Sequence, residues 1–243
     1  MIFNFYIILY IIFGILPSLV WLFYYLKKDV HPESNKMILK IFMWGAIITI
    51  PVFFVQIGSA NLLEKINLDP SISSLIYWFL IISFSEEFLK YLVIRLKVIN
   101  SHHLDEPLDI MIYMVIAALG FAAVENILYI FTSPENFSFT EILNRTLILS
   151  FIRFIGATFL HTLCSAVIGY AVAISLCDLK NRRLEAGFGI IIAVALHGLY
   201  NFSIITLEGN LRLIIPIIIL IILAILTSLG FEHLKKLKSV CKL

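Results

Sequence analysis

Long apolar stretches separated by short polar segments run through the whole chain of 243 residues. A membrane-spanning helix needs about 20 consecutive, mostly apolar residues. Seven stretches meet this requirement, at residues 2–26, 37–60, 72–95, 108–131, 146–177, 184–207 and 211–231. The polar segments between them are too short for a soluble domain. The pattern therefore predicts an all-α bundle of about seven transmembrane helices, which forms a single membrane domain over 1–243.

Two features predict departures from straight, simple spans. The fifth stretch is too long for one perpendicular crossing and contains Arg153, so we expect it to be tilted or to begin as an interfacial helix around Phe137 to Arg145. We expect Pro51 and Pro216 to kink their helices or to begin them. The first stretch lacks a basic n-region and a small-residue cleavage site, which favours a retained span over a signal peptide.

Composition narrows the class further. Hydrophobic residues make up 61% of the chain, whereas a soluble globular domain has roughly 45–50%. The net charge of +2 gives no sign of nucleic-acid binding, so we expect the lipid bilayer as a partner and no nucleic acid. The three cysteines show neither a disulfide framework nor a Cys-x-x-Cys metal motif.

The distribution of lysine and arginine predicts the orientation. With the N-terminus outside, thirteen basic residues fall in cytoplasmic segments and three fall outside. The thirteen are Lys27, Lys28, Lys36, Lys40, Arg95, Lys97, Lys180, Arg182, Arg183, Lys235, Lys236, Lys238 and Lys242, and the three are Lys65, Arg145 and Arg212. The positive-inside rule then favours an outside N-terminus and a cytoplasmic C-terminus.

Three ionisable residues, Glu86, Glu87 and Lys90, interrupt the third stretch. An ionisable side chain near the bilayer midplane costs roughly 2.5 to 3.5 kcal/mol, so such residues pair with one another or face a polar interior. On a helix, Glu86 (i, i+4) and Glu87 (i, i+3) both reach Lys90. One carboxylate can pair with the lysine while the other stays free to act as a general base or acid. A salt bridge that only fixes helix packing is the structural alternative.

Polar side chains also interrupt the next three stretches. Glu125 and Asn126 follow small residues in the fourth stretch, and His161 and His197 each belong to a row of small residues with a four-residue repeat. The rows are Ala157, His161, Ser165, Gly169 and Ala173, and Gly189, Ala193, His197 and Asn201. Such rows let helices approach closely, so we expect both imidazoles to point inward at about the depth of Glu86. Neutralisation of Lys90 or Arg153 by Glu125, and simple packing roles for the histidines, are the alternatives.

This set of side chains suits two ways of activating water. In the first, His161, His197 and a carboxylate, which we expect to be Glu125, bind a divalent metal such as zinc, and a remaining glutamate takes the proton of the water. In the second, no metal takes part: Glu86 or Glu87 acts as the base, and His197 and Asn201 stabilise the oxyanion of the tetrahedral intermediate. Both ways of activating water predict that the protein is a hydrolase. The sequence contains no recognisable nucleophile motif, Gly-rich phosphate loop or HExxH helix.

Four motifs on successive stretches resemble the PrsW family of intramembrane proteases, within the larger group that contains the CAAX prenyl proteases and bacteriocin-processing enzymes. The motifs are Glu86-Glu87-x-x-Lys90, Phe121-x-x-x-Glu125-Asn126, His161 with Ser165 and Gly169, and His197-x-x-x-Asn201. They lie within residues 72–207, which we expect to form the catalytic core of four helices, spans three to six. The resemblance implies cleavage of a membrane-anchored protein, similar to an anti-sigma factor, in a prokaryotic cell membrane.

The resemblance also implies roles for single residues. It implies Glu86 and Glu87 as the water-activating carboxylates, with Lys90 as their partner. It implies five further site residues: Glu125, Asn126, His161, His197 and Asn201. Of these, Asn201 would be an orienting or oxyanion-binding amide. The CAAX prenyl proteases have an arginine three positions after the glutamate pair and a histidine in place of Glu125, so no prenylated substrate is implied.

Two other classes of function compete with hydrolysis. An ion-coupled transporter or channel would use the Glu and His side chains as a proton relay. Transporters usually show an internal repeat, and the glutamate pair has no counterpart three or four stretches later. A catalytically inactive scaffold is the third possibility, but it would have no reason to retain costly intramembrane charges.

Overall fold

A computed structural model describes residues 2–29, 31–66, 68–131, 138–176 and 181–237. Over these residues it confirms an all-helical fold without strands, and seven helical segments are long and apolar enough to cross a membrane. The segments are Tyr6–Leu26, Asn35–Ile66, Pro70–Lys97, Pro107–Phe131, Phe139–Ser175, Arg183–Thr206 and Leu211–Leu234. Each overlaps one predicted stretch. The predictions that involve Phe137, Cys177, Lys180, the side chain of Arg182, Lys238, Cys241 and Lys242 lie outside the described residues.

Ten α-helices and one π-helical segment make up the described part of these spans. In chain order they are α1 (Ile2–Leu26), α2 (Asn35–Ile47), α3 (Thr49–Ile66), α4 (Pro70–Leu75), the π-helical segment (Ile76–Ser83), α5 (Phe84–Lys97), α6 (Pro107–Phe131), α7 (Phe139–Ile155), α8 (Ala157–Ser175), α9 (Arg182–Thr206) and α10 (Leu211–Leu234). Pro51 lies in the first turn of α3, where its missing N–H is tolerated, and Pro216 lies inside α10.

The fifth span, Phe139–Ser175, is interrupted at Gly156, between α7 and α8, a feature that differs from the predicted tilt or interfacial start. The backbone of Gly156 has φ −103° and ψ −95°, outside the helical range. A Cβ atom at this position would lie 2.7 Å from the hydroxyl oxygen of Tyr200 and 2.9 Å from the carbonyl oxygen of Ile152. Only glycine therefore fits, and the break redirects the chain five residues before His161.

The third stretch changes its helical form just before the glutamate pair. Residues Ile76–Ser83 form a π-helical segment, in which hydrogen bonds span five residues instead of four. The hydroxyl of Ser83 donates to the carbonyl oxygen of Trp78 at 2.8 Å within this segment. Short π-helical insertions are frequent at functional sites because they rotate the residues that follow. Here the residues that follow are Glu86 and Glu87.

Helix α6 lies at the centre of the bundle and packs against α1, α2 and α8. A Cβ atom at Gly120 would lie 2.0 Å from the carbonyl oxygen of Phe42 in α2, and one at Gly169 would lie 2.6 Å from the Cα of Met111. The small residues therefore permit the close helix contacts that the sequence predicted. These contacts bring α5, α6, α8 and α9 together around one polar site.

Candidate active site

Glu87 is the paired member of the glutamate couple. Its side chain is fully buried, and its Oε1 accepts a hydrogen bond from the Lys90 ammonium at 2.8 Å. The same oxygen lies 2.9 Å from Nδ1 of His197, and Oε2 accepts a bond from the Ser165 hydroxyl at 3.1 Å. Because an ionised carboxylate can only accept, Nδ1 of His197 carries the hydrogen and its Nε2 keeps a free lone pair.

Glu86 is the member of the couple that forms no hydrogen bond with Lys90. Its Oε1 accepts a hydrogen bond from the Gln56 amide at 3.0 Å, but its Oε2 is buried without a hydrogen-bond partner. This oxygen lies 3.7 Å from Nδ1 of His161 and 3.8 Å from Nε2 of His197. The Lys90 ammonium lies 2.8 Å from Oε1 of Glu87 and 3.9 Å from Oε2 of Glu86, so both carboxylates are within ion-pair distance of the lysine and Glu87 is the closer one. A buried carboxylate oxygen without a hydrogen bond is rare, and catalytic groups are among the places where it occurs.

His161 contacts charged groups on both sides of its ring. Nδ1 lies 2.9 Å from the Lys90 ammonium, and Nε2 lies 2.8 Å from Oε2 of Glu125. An ammonium can only donate, so Nδ1 is the acceptor and the Nε2 hydrogen points to Glu125. The same Glu125 oxygen accepts a bond from the Arg153 guanidinium at 2.6 Å. Arg153 and Glu125 therefore hold the imidazole in one orientation.

Asn126 lies behind Glu125 rather than beside the two histidines. Its Oδ1 accepts a hydrogen bond from Nε of Arg153, and its amide donates to the carbonyl oxygen of Gly14 and to the hydroxyl of Thr158, each at 3.1 Å. Asn126 thus connects α1, α6 and α8 and positions Arg153. The sequence predicts Asn126 as a site residue, and its hydrogen bonds to Arg153, Gly14 and Thr158 make it part of the network that supports the site.

A cavity of about 480 Å³ opens in front of the free carboxylate. Glu86, Glu125, His161, His197 and Asn201 all line it. Glu87 and Lys90 are fully buried and hold His161 and His197 from behind. All eight residues that the sequence singled out therefore lie in this cavity or contact its lining, Asn126 through its hydrogen bond with Arg153.

Gln56 was not predicted as a site residue, and Arg153 was predicted only as an alternative partner of Glu125. Gln56 approaches Glu86 from the second span, which bore no predicted site residue. Its signal in the sequence is a single amide between Val55 and Ile57 in an apolar stretch. The pairing of Arg153 with Glu125 is present in the structure, at 2.6 Å.

The ligand atoms of Glu86, His161 and His197 lie within 4.8 Å of one another, as a shared metal ion requires. Ligand bonds of 2.0–2.2 Å in a tetrahedral zinc site place the ligand atoms about 3.3–3.6 Å apart. The separations of 3.7 and 3.8 Å from Glu86 Oε2 to the two imidazoles are close to this value. Glu125, the carboxylate ligand expected from the sequence, instead contacts the opposite nitrogen of His161.

Comparison with known proteins gives the same family as the motifs. Residues 33–231 match the family described as PrsW family intramembrane metalloprotease. A protein named Protease PrsW from Clostridioides difficile (strain 630) is 31% identical over 214 residues, covering 86% of this chain and 84% of that protein. Another of the same name from Bacillus subtilis (strain 168) is 27% identical over 229 residues, covering 93% and 94%. No solved structure matches the chain. The chain is therefore a membrane protease that belongs to the PrsW family of intramembrane metalloproteases.

Proposed function

We propose that this protease hydrolyses a peptide bond of a membrane-anchored protein, with water activated by Glu and His side chains in the cavity. The observation that supports this most is Glu86 Oε2, a buried oxygen without a hydrogen bond that faces two imidazole nitrogens and lies 3.9 Å from the Lys90 ammonium. Such a cluster gives a water molecule polar partners inside an otherwise apolar bundle. A proton relay for ion transport is not favoured, because the chain belongs to a family of proteases.

We propose that Glu86, His161 and His197 hold a divalent metal, namely zinc. Two imidazoles and one carboxylate form a donor set of catalytic zinc sites, which keep a fourth position open. Glu86 fits better than Glu125, because the contacting oxygen of Glu125 is already shared by His161 and Arg153. When bound, the metal would lower the pKa of a water and polarise the substrate carbonyl. The Lys90 ammonium lies 2.9 Å from Nδ1 of His161, so it must turn away before that nitrogen can bind the metal.

The other side chains take distinct roles in this proposal. Glu125 lines the cavity without belonging to the donor group, so it accepts the proton that the attacking water loses. Asn201 lies one turn beyond His197 on α9, and its amide donates to the oxyanion. Lys90 and Glu87 are positioning residues, since Glu87 fixes the tautomer of His197. This network matches the outer shell that orients metal-binding histidines in proteins.

The substrate and the orientation are also proposals. Large apolar side chains of the cavity lining, such as Phe53 and Ile205, are exposed at its edge. They suit the apolar flank of a transmembrane or membrane-anchored segment. The family resemblance implies an anti-sigma-factor-like protein as that substrate. The basic residues support an outside N-terminus and a cytoplasmic C-terminus.

Metal content and cleavage, measured on the same preparations, test this proposal. The parent is compared with a His161→Ala/His197→Ala variant and with a His102→Ala/His103→Ala control, whose histidines are exposed in the connection before α6. We expect about one zinc per chain in the parent and control, and none in the site variant. Cleavage of a single-span protein in vesicles should be lost together with the metal. An active, metal-free parent would overturn the zinc assignment, and a site variant that cleaves at the parent rate would overturn the site.

A further inference from the structure

A second cluster of carboxylates lies at the other end of α6. Glu33 belongs to the α1–α2 connection, Asp105 to the α5–α6 connection, and Asp109 to the first turn of α6. One oxygen from each lies within 4.8 Å of the other two. Asp109 precedes Glu125 by 16 positions on α6, which places the cluster about 24 Å from the active site at 1.5 Å per residue.

The cluster is held rigidly at its centre. Asp109 is only 2% exposed, and its Oδ2 accepts the backbone N–H bonds of Asp105 at 3.1 Å and Glu106 at 2.7 Å. In the part of the chain that the structure describes, no lysine or arginine forms an ion pair with Glu33, Asp105 or Asp109. Three carboxylates so close together repel one another unless a proton or a cation is shared between them.

The buried hydroxyl of Tyr113 lies beside the same carboxylate cluster. Tyr113 lies one turn after Asp109, its side chain is fully buried, and its hydroxyl faces Glu33 without forming a hydrogen bond of normal geometry. Oε1 of Glu33 is likewise buried without a partner. Unsatisfied buried polar atoms are rare in folded proteins. The Tyr113 hydroxyl and the Glu33 carboxylate face each other beside Asp105 and Asp109 without a hydrogen bond of normal geometry, and a cation shared by the cluster would satisfy the carboxylate.

The neighbouring polar groups of the α1–α2 connection have partners, whereas the Ser101 hydroxyl in the α5–α6 connection is buried without one. The imidazole of His31 pairs with Glu106 at 2.6 Å. The carboxylate of Asp29 accepts backbone bonds from His31 at 3.0 Å and Glu33 at 3.3 Å. His31 and Asp29 therefore shape the α1–α2 connection and leave the Glu33 side chain turned toward Asp105 and Asp109.

We propose that Glu33, Asp105 and Asp109 bind a hard divalent cation, Ca²⁺ or Mg²⁺, with the Tyr113 hydroxyl facing the same ion. Hard cations prefer oxygen-only donor sets, whereas the imidazoles at the active site favour zinc. The cation joins the α1–α2 connection to the start of α6, so it stabilises the folded bundle. It does not take part in the hydrolysis.

Cation binding to the detergent-purified full chain tests this proposal, by calorimetry with CaCl₂ or MgCl₂ and by the shift of the melting temperature. The matched pair is Asp105→Asn and Glu106→Gln, because the two neighbours lose the same charge but only Asp105 offers a ligand oxygen. We expect one saturable site in the parent, and binding weakened about tenfold or more in Asp105→Asn but much less in Glu106→Gln. The two titrations distinguish Ca²⁺ from Mg²⁺.

Tyr113→Phe provides a second, independent measurement. It removes an unpaired buried hydroxyl, so without added cation the variant should melt at or above the parent temperature. With cation it should show a smaller upward shift than the parent. Equal weakening by Asp105→Asn and Glu106→Gln, or no saturable binding in the parent at millimolar cation, would overturn the proposal.

Discussion

Oε1 of Glu87 lies 2.9 Å from Nδ1 of His197, and this contact joins α5 to α9 across the bundle. The contact fixes the tautomer of His197, so its Nε2 presents a lone pair to Glu86. The two adjacent glutamates therefore have different tasks. Glu87 positions the imidazole, and Glu86 offers the free oxygen.

The two glutamates should respond differently to the same change. Glu86→Gln removes the free carboxylate, so cleavage should fall by about 10²–10⁴-fold with little change in stability. Glu87→Gln removes the carboxylate charge 2.8 Å from the buried Lys90 ammonium and leaves only that of Glu86 at 3.9 Å, so the free energy of unfolding should fall by about 3–5 kcal/mol. Cleavage of a single-span substrate and thermal unfolding in detergent measure the two effects. Equal effects of both variants on stability would contradict the division of tasks.

Gln56→Ala should reduce activity without unfolding the protein. The Gln56 amide holds Oε1 of Glu86 at 3.0 Å, so its loss frees the carboxylate to rotate. Outer-shell losses of this kind typically cost about 10–100-fold. Asn61→Ala is the matched control, because Asn61 lies on the same helix and is exposed. Cleavage at the parent rate by Gln56→Ala would show that Glu86 needs no such support.

The Arg153–Glu125 pair should be energetically coupled. Arg153→Met leaves Glu125 without its cation in a largely buried position and should lower the free energy of unfolding by about 3–5 kcal/mol. In a Glu125→Gln background the same substitution should cost less, because the uncompensated charge is gone. A double-mutant cycle measures the difference, which we expect at about 1–3 kcal/mol. Strict additivity would mean that the two side chains act independently.

Gly120→Ala should separate α2 from α6. Its new Cβ would lie 2.0 Å from the Phe42 carbonyl oxygen, which belongs to rigid backbone. We expect a loss of about 1–3 kcal/mol in the free energy of unfolding. Gly58→Ala is the control, since a Cβ there meets nothing within 4 Å. In that open helical position alanine should stabilise by up to about 1 kcal/mol, and a similar loss for both variants would contradict the packing argument.

The orientation can be tested with reporter fusions at each terminus. The excess of lysine and arginine in alternate connections predicts that a reporter active only outside the cell works at the N-terminus and fails at the C-terminus. A cytoplasmic reporter should show the reverse. Activity of the same reporter at both ends would require an even number of spans and would overturn the predicted topology.

Much of this protein follows from sequence patterns that are local along the chain. Apolar stretches long enough for a bilayer predicted all seven spans, because length and hydropathy decide membrane insertion. The spacing of Glu86, Glu87 and Lys90 predicted one paired and one free carboxylate, since both positions depend only on helix geometry. The two rows of small residues likewise predicted which faces of α8 and α9 pack inward.

Only the tertiary structure decided which partner each polar group meets. The sequence left Glu86 and Glu87 equivalent, because both are near Lys90, and the position of His197 and Ser165 on other helices made Glu87 the paired one. Gln56 comes from a span without a motif, and Arg153 lies on α7, before the motif of its own span, so the contacts of both depend on helix crossings that no local pattern encodes. The break at Gly156 and the π-helical segment set those crossings. The spans were therefore determined by the sequence alone, and the polar network by how the helices pack against one another.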